Sequence, residues 1–202
     1  MNLDILNKEL NFLKYYSNDF KAILFDKLQN YEIIFKQFCN IHNISNFKTL
    51  EPQIIDSLKI LDFKSFNIKN AIDIGSGAGF PAVFLSLILK TNFHLFEPNL
   101  KKNSFLNLIK SELNIDNLYI YKDKIEKFNK QFTVDLITSR ACMSIQNLIA
   151  LSEGFFDERT LFLFYKGSNL DKELNIIKDY KIFNYKQRKY CIIKDIYVNY
   201  RS

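Results

Sequence analysis

Three glycines at alternate positions follow an acidic residue in residues 73–81, which read DIGSGAGFP. Asp73 precedes Gly75, Gly77 and Gly79, and glycines let a backbone turn sharply and approach a ligand without Cβ atoms in the way. A short apolar run comes before this loop, and a helical pattern comes after it. A tight turn that serves packing alone explains three alternate glycines poorly, so the segment predicts a ligand-binding loop.

Glycine loops of this kind hold two classes of ligand. The dinucleotide fingerprint is GxGxxG, which places a pyrophosphate at a helix N-terminus. Here the spacing is DxGxGxG, which is one residue shorter between the last glycines. The Asp73 carboxylate would repel a diphosphate but can receive an ammonium group, directly or through water. Because S-adenosylmethionine has no phosphate and carries an amino acid tail, the loop favours this cofactor over a dinucleotide.

A second carboxylate, Glu97, stands 22 positions after Gly75, at the end of the next predicted strand. A carboxylate there can accept hydrogen bonds from both ribose hydroxyls of a nucleoside, as an acidic residue does in NAD sites. Taken alone, Glu97 is more simply a solvated strand terminus. Together with the glycine loop, the nucleoside interpretation is favoured.

Strands and helices alternate from residue 70 onward, which predicts the framework that holds these residues. Strands are predicted over 71–74, 93–97, 118–121, 134–138 and 161–165, and helices over about 80–90, 100–113, 145–152 and 169–179. The runs 182–185 and 190–198 predict a terminal hairpin with its turn near 186–189. This order predicts an α/β, Rossmann-like fold with a mostly parallel seven-stranded sheet. Ligands bind such sheets at the carboxyl ends of the strands.

Residues 1–62 are predicted to be helical. Apolar residues follow a helical spacing at positions 3, 6, 10 and 13 and again at 20, 24, 28, 31, 35 and 38. Residues 17–19 predict a break and an N-cap between the two helices, and Pro52 is tolerated early in a third. We therefore expect an N-terminal helical extension over 1–62, packed on a Rossmann-like core over 63–202, in a single structural domain overall.

Charge and composition restrict the class of partner only weakly. Lysine and arginine number 28 against 22 acidic residues, so the formal charge is +6. This balance suits a polyanion without demanding one. Cys39, Cys142 and Cys191 form no CxxC pair, and His42 and His94 are isolated, so no metal site is expected. An odd number of cysteines indicates reduced thiols and a cytoplasmic protein.

The sequence predicts neither secretion nor a membrane partner. Asp4, Lys8 and Glu9 interrupt the apolar stretch that a signal peptide needs. The longest charge-free stretch, residues 74–89, is too short and too rich in glycine to span a bilayer, which takes about 20 apolar residues. We expect a monomer.

Several motifs together give a more specific resemblance, over about residues 31–174. The chain resembles the bacterial small-subunit ribosomal RNA guanine-N7 methyltransferases of the RsmG (GidB) type. The motifs that carry the resemblance are HNIS at 42–45, IDSL at 55–58, the loop at 73–81, Lys101-Lys102 with Phe105-Leu106, SRA at 139–141 and Lys166-Gly167. The glycine loop alone indicates only a methyltransferase, whereas the Gly-Phe-Pro ending with Ser-Arg-Ala and Lys-Gly is far more specific.

The resemblance implies a class I S-adenosylmethionine-dependent methyltransferase that acts on N7 of a guanine in the 530 loop of 16S ribosomal RNA. Its substrate would be 16S RNA or the small ribosomal subunit. Carried over by motif, the cofactor-binding positions are Gly75, Phe80, Ile125, Glu126 and Arg140.

The chain departs from the family pattern at three places. Ala82 replaces a usual glycine, and Glu97 stands where aspartate is common. Residues 124–127 read KIEK where the family usually has Arg-Ala-Glu-Glu. Lys124 keeps the charge of the arginine but lacks the planar fork that grips phosphate or a base edge bidentately.

The chemistry that the resemblance implies needs little acid–base catalysis. Guanine N7 presents a lone pair in the major-groove edge, so no general base is required. The enzyme must align N7, the methyl carbon and sulfur and exclude water. No Pro-Pro pair indicates an exocyclic-amine methyltransferase, and no cysteine follows a proline as in carbon-5 methyltransferases.

Basic residues at strand ends are the candidates for RNA contact. Arg140 is expected to hold the guanine or an adjacent phosphate and to shape the cofactor pocket; a surface salt bridge is the alternative. Lys166 should contact the RNA backbone, although Lys-Gly at a strand end is otherwise a common turn. Lys101, Lys102 and Lys124 can add salt-sensitive phosphate contacts, and a charged helix start explains Lys101 and Lys102 equally well.

The remaining candidates have simpler explanations. Phe80 can pack on the cofactor, or it is an ordinary core residue. His42 and Cys142 are interpreted as structural. The basic segment 186–189 is more simply a solvated turn than an RNA contact.

Two other functions stay open. A methyltransferase for small molecules is disfavoured by the basic balance and by the absence of a large insertion over the site. A non-catalytic RNA-binding module with the same fold is disfavoured because Asp73, Gly75, Gly77, Gly79 and Glu97 are all intact.

Overall fold

A single sheet organises the protein. The computed structural model describes residues 1–129, 132–140, 143–175 and 177–194. In this part of the chain the strands β1 to β7 are Asn70–Ile74, Asn92–Phe96, Leu118–Tyr121, Leu136–Arg140, Leu161–Lys166, Tyr180–Tyr185 and Arg188–Ile193. Their spatial order is β3-β2-β1-β4-β5-β7-β6. The first five strands are parallel, whereas β7 is antiparallel to both β5 and β6.

The strand order reverses between β1 and β4, because the chain moves outward from β1 to β2 and β3 and then returns to the other side. Loops that leave two adjacent strands in opposite directions open a crevice at the carboxyl edge of the sheet. The glycine loop leaves β1 there, and Arg140 ends β4 at the same edge.

Helices cover the sheet. The helices α1 to α7 are Leu3–Glu9, Asn18–His42, Glu51–Leu58, Ala82–Ile88, Leu100–Glu112, Ile145–Leu151 and Leu170–Glu173, with 3-10 turns at Asn11–Tyr15, Lys59–Asp62 and Ile125–Lys127. The Ser17 hydroxyl caps α2 by accepting a hydrogen bond of 3.2 Å from the Phe20 N–H. Pro52 lies in the first turn of α3, where its missing N–H costs nothing. Among the described residues no helix is long and apolar enough to cross a bilayer.

Neighbouring residues of each central strand pack on opposite faces of the sheet. Ala71 joins one hydrophobic cluster, which also contains the buried side chains of α1, α2, α3, α4 and α5. Ile72 and Ile74 join a second cluster, with α6 and the segment around α7. This alternation has the two-residue period of a strand, and it makes the N-terminal helices part of the same core as the sheet.

The element boundaries differ from the predicted ones at a few places. The helix predicted over 169–179 is only Leu170–Glu173, because Leu174 and Ile177 reach the core from a turn and the next strand already begins at Tyr180. The fourth strand starts two residues later than predicted and continues to Arg140. Residues 195–198 of the predicted last strand, and Ala141 and Cys142, lie outside the described residues.

Candidate active site

The glycine loop is held in place by hydrogen bonding to the end of β2 and by a hydrogen bond within the loop. The N–H of Gly75 donates to the Phe96 carbonyl at 3.0 Å, and the N–H of Gly79 donates to the Ser76 carbonyl at 2.7 Å. Gly77 has φ +58, and a Cβ there would meet only the Gly75 carbonyl oxygen, at 3.9 Å. Gly77 therefore needs glycine for its backbone conformation and keeps one side of the loop open.

Gly79 has a different role. Its φ is +92, and a Cβ on it would lie 2.4 Å from Cγ2 of Val83 in α4. Glycine at this position lets the loop close against the helix that it opens. Gly79 does not line the cavity described below.

Asp73 is buried at the end of β1. Its Oδ1 accepts a hydrogen bond of 2.6 Å from the Thr138 hydroxyl. Its Oδ2 is buried without a hydrogen-bond partner among the described residues. Burial raises the pKa of this carboxyl to about 7, and an acceptor buried without a partner costs free energy. Asp73 thus offers one free acceptor atom beside the loop, although its side chain does not form part of the cavity wall.

Glu97 connects the loop to the helix that follows β2. Its Oε2 accepts from the Gly77 N–H at 2.7 Å, and its Oε1 accepts from the Asn99 N–H at 2.9 Å. A carboxylate oxygen has two lone pairs, so each oxygen can accept one further hydrogen bond. This is the capacity that two vicinal hydroxyls of a ribose require.

The Arg140 side chain lies beside the glycine loop, and its salt bridge with Asp56 is largely buried. Its Nη1 donates to Oδ2 of Asp56 at 3.0 Å, and its Nη2 donates to Oε1 of Gln53 at 2.7 Å. Its guanidinium carbon lies 4.8 Å from the ring centroid of Phe80 and 5.7 Å from that of Phe47. Burial lowers the pKa of Arg140 and Asp56 opposes this effect. The guanidinium is fixed by two polar partners and two rings.

These elements enclose a cavity of about 510 Å³ at the carboxyl edge of the sheet. Of the residues predicted from sequence, those that line it are Gly75, Gly77, Phe80, Glu97, Lys102 and Arg140. The volume falls within the range of roughly 300–1,000 Å³ that is usual for small-molecule sites. The structure therefore brings six of the predicted residues to one cavity.

Other predicted residues lie elsewhere. Ile125 is buried in the second hydrophobic cluster. Glu126 is exposed, with its Oε1 3.9 Å from Nζ of Lys124. Neither residue lines the cavity. Lys101 is exposed at the start of α5. Lys166 is buried, and its Nζ donates to Oε2 of Glu173 at 2.8 Å and to the Met143 carbonyl at 2.5 Å.

The connection between α2 and α3 supplies a wall that no sequence pattern predicted. Ile44, Ser45 and Phe47 line the cavity, and the ring of Phe47 meets that of Phe80 edge to face, with 5.7 Å between centroids. Ile44 and Ser45 belong to the HNIS motif, which is the one signal that pointed to this segment. Phe47 is 41% exposed and carried no signal at all.

The residues present fit a nucleoside with an amino acid tail. Glu97 has acceptor capacity for two hydroxyls, Asp73 has a free buried acceptor for an ammonium group, and the glycine backbone leaves open space beside them. The carboxylates near the loop disfavour a diphosphate by charge repulsion. Within the described residues, no group of three His, Cys, Asp or Glu side chains is arranged to hold a metal ion.

Comparison with known proteins identifies close relatives. A family model described as GidB, rRNA small subunit methyltransferase G, matches residues 24–194. Two similar proteins are named ribosomal RNA small subunit methyltransferase G. The one from Campylobacter jejuni subsp. doylei is 47% identical over 188 residues, which are 93% of this chain and 98% of that protein. The one from Helicobacter bizzozeronii is 46% identical over 169 residues, covering 81% of this chain and 93% of its own.

Solved structures share the fold at low sequence identity. A SAM-dependent methyltransferase from Aquifex aeolicus aligns with a TM-score of 0.55 at 16% identity, over 72% of this chain and 94% of that one. The Thermus thermophilus 16S rRNA N2 G1207 methyltransferase, solved with AdoMet and guanosine, aligns with a TM-score of 0.59 at 11% identity, over 73% and 44%. These likenesses confirm the predicted class of fold.

Proposed function

The chain belongs to the rRNA small subunit methyltransferase G family, and from this membership we infer that it methylates N7 of a guanine in the 530 loop of 16S ribosomal RNA. It is an S-adenosylmethionine-dependent rRNA methyltransferase. The observation that carries the assignment is 47% identity over 98% of the length of a relative with that name.

When bound, S-adenosylmethionine supplies a methyl group that its sulfonium has already activated for transfer. We propose that Gly75, Gly77 and Phe80 contact it, that Glu97 accepts its ribose hydroxyls and that the free oxygen of Asp73 receives its amino group, directly or through water. The fit of the cavity supports these roles. Family motifs add Ile125 and Glu126, and Gly79 acts by closing the loop on α4.

Methyl transfer to N7 needs alignment rather than proton removal, since N7 presents its lone pair without a base. Arg140 is the residue we assign to holding the guanine or a neighbouring phosphate. Its guanidinium lies at the cavity with both Nη atoms hydrogen-bonded, so its position is set before the substrate arrives. The rings of Phe47 and Phe80 pack against each other and beside this guanidinium.

Lysines at the same edge of the sheet are proposed to bind the RNA backbone. Lys101 and Lys102 begin α5, and Lys124 precedes the 3-10 turn after β3. Charges of this kind attract phosphate in a salt-dependent manner. Lys166 is assigned the same role, and a contact with RNA requires it to give up its present partners, the Glu173 carboxylate and the Met143 carbonyl.

The setting of the reaction completes the proposal. The substrate is 16S RNA, free or within the small ribosomal subunit, and the enzyme acts in the cytoplasm as a monomer without a membrane partner. Residues 1–62 and 63–202 work as one structural domain. The shared hydrophobic cluster supports this last point.

The test is to incubate the protein with labelled S-adenosylmethionine and either naked 16S RNA, small ribosomal subunits or a pool of metabolites. We expect label in 16S RNA as 7-methylguanosine at a single position, and that position should be unmethylated in cells that lack the protein. Label in a small molecule would establish a different substrate. Cofactor binding without any transfer of label to RNA would indicate a non-catalytic binding module.

A further inference from the structure

We propose that Asp56 is a positioning residue for methyl transfer, which acts by holding the guanidinium of Arg140 together with that of Arg188. The role rests on the proposed function, because it concerns the placement of Arg140 against the RNA. Asp56 lies in α3 and belongs to the IDSL motif, for which no role has yet been given.

One carboxylate serves both arginines. Oδ2 of Asp56 lies 3.0 Å from Nη1 of Arg140, and Oδ1 lies 2.7 Å from Nε of Arg188. The three side chains come from α3, the end of β4 and the start of β7. Their exposed fractions are 13% for Asp56, 8% for Arg140 and 23% for Arg188. Such a group, largely removed from water, interacts more strongly than surface ion pairs do.

Asp56 is itself fixed on the sheet. The Tyr190 hydroxyl of β7 donates a hydrogen bond of 2.9 Å to its carbonyl oxygen. The Tyr165 hydroxyl of β5 donates one of 2.7 Å to the carbonyl oxygen of Ser57. Two neighbouring carbonyls of α3 are therefore anchored on two adjacent strands. A carboxylate on an anchored helix can determine where a mobile guanidinium comes to rest.

The arrangement also determines the charge beside the cavity. Without this carboxylate the two guanidinium groups would repel each other. Arg140 would also lose the ion pair that helps to hold it against Phe80. Replacing Asp56 by asparagine adds one unit of net positive charge on the face assigned to RNA. The attraction to phosphate is therefore not reduced, whereas Arg140 is no longer held in its orientation.

This difference separates a positioning role from a merely structural one. If Asp56 only stabilises the fold, its loss weakens cofactor binding, RNA binding and turnover together, in proportion to unfolding. If it positions Arg140, kcat falls while the affinity for RNA is kept or increased. Small misplacements of aligned groups lower rates by up to about a hundredfold.

The experiment compares Asp56→Asn with wild type in kcat, in Kd for 16S RNA and in Kd for S-adenosylmethionine. We expect kcat to fall about tenfold or more, with Kd for RNA unchanged or tighter and Kd for the cofactor within about threefold. In an Arg140→Lys background, which keeps measurable activity, the same change should lower kcat by a smaller factor than in wild type, because a residue that acts through another has no separate effect.

Asp62→Asn is the matched control. Asp62 also accepts hydrogen bonds from a lysine, Lys59, and from the backbone N–H groups of Asn11 and Phe12, but it does not line the cofactor cavity. This variant should unfold more easily and keep wild-type kcat. Should Asp56→Asn fail to fold, Asp56→Glu retains the charge and displaces it by one methylene, and it should also lower kcat at unchanged RNA affinity.

A wild-type kcat in Asp56→Asn would overturn the proposal. So would a parallel loss of kcat and both affinities, or a loss of kcat in the Arg140→Lys background as large as that in wild type. If Asp56→Glu must replace the asparagine variant, a wild-type kcat in Asp56→Glu would also overturn the proposal. Wild-type protein that transfers no methyl group to 16S RNA would instead refute the proposed function, so the two failures are distinguishable.

Discussion

The backbone N–H of Gly77 donates a hydrogen bond of 2.7 Å to Oε2 of Glu97. This contact ties the loop after β1 to the residue that follows β2, and the other oxygen of the same carboxylate accepts from the Asn99 N–H, just before α5. One side chain therefore sets both the shape of the glycine loop and the start of a helix, while it keeps lone pairs for a ligand.

Glu97→Gln should lower both stability and cofactor affinity. An amide turns an NH₂ group toward one of the two backbone N–H donors, and leaving such a donor unpaired costs about 1–3 kcal/mol. Calorimetry with S-adenosylmethionine should also show affinity reduced about tenfold or more, because the amide has one acceptor oxygen instead of two for the ribose hydroxyls and a hydrogen bond to a charged group contributes about 1.5–3 kcal/mol. Glu153→Gln, an exposed change distant from the cavity, should change neither. Wild-type affinity in Glu97→Gln would remove Glu97 from the site.

Cofactor-free protein should lose stability as the pH rises from about 4 to about 7. Burial raises the pKa of Asp73 from 3.8 to about 7, so the folded state binds more protons than the unfolded state in that interval and is destabilised as they leave. Asp73→Asn should flatten this part of the profile, measured by denaturant unfolding at several pH values. Asp171 is the exposed partner of an ion pair, so Asp171→Asn should leave the pH profile of stability unchanged. An unchanged profile in Asp73→Asn would contradict the raised pKa of Asp73.

S-adenosylmethionine should bind more tightly as the pH rises through 7. An ammonium group is attracted to ionised Asp73 and not to the protonated form, and Asp73 gains its charge in that range. Titration calorimetry from pH 6 to 8 should show this trend in wild type. In Asp73→Asn the binding should be weaker and its dependence on pH reduced, whereas an identical trend in both proteins would exclude contact with this carboxylate.

Gly79→Ala should destabilise the protein by about 1–3 kcal/mol. The new Cβ would meet Val83 at 2.4 Å, at a backbone φ of +92 that alanine rarely adopts. Gly167→Ala is the matched control, because nothing lies within 4 Å of its Cβ position, and its effect should stay within about 0.5 kcal/mol. Denaturant unfolding measures both. Equal stability of the two variants would show that the loop can shift away from α4.

Arg140→Ala should abolish methylation of ribosomal particles while the protein stays folded. Arg140→Lys should also be at least about tenfold slower, because lysine lacks the planar fork that contacts Asp56, Gln53 and the ring of Phe80 together. Arg159→Ala removes an exposed ion pair and should retain full activity. Full activity of Arg140→Ala would be decisive against the assigned site.

The positions that sequence predicted well are those that a parallel sheet brings together by topology. Gly75 follows β1, Glu97 follows β2 and Arg140 ends β4, and adjacent strands must deliver their carboxyl ends to one edge. Local patterns of apolar residues and glycines located Gly75 and Glu97, and the family resemblance added Arg140. Little tertiary information is needed when strand order alone determines proximity.

Contacts that depend on packing between distant segments could not be predicted in the same way. Phe47 lies in the cavity wall against Phe80 and Arg140, which are far from it in the chain, and no local pattern encodes these contacts. The contacts of Lys166 with Glu173 and with the Met143 carbonyl were likewise not predicted. A helix was predicted over 169–179, yet Leu174 and Ile177 reach the core beyond a short helix that ends at Glu173.

The buried Tyr31 of α2 donates its hydroxyl hydrogen bond to the carbonyl of Ala78, inside the glycine loop itself. A shortened chain that began after residue 62 would leave that carbonyl without its donor and remove Phe47 from the cavity wall. The helices are thus not an accessory that protein engineers can trim or exchange between related enzymes. The smallest piece of this chain able to transfer a methyl group is expected to include them.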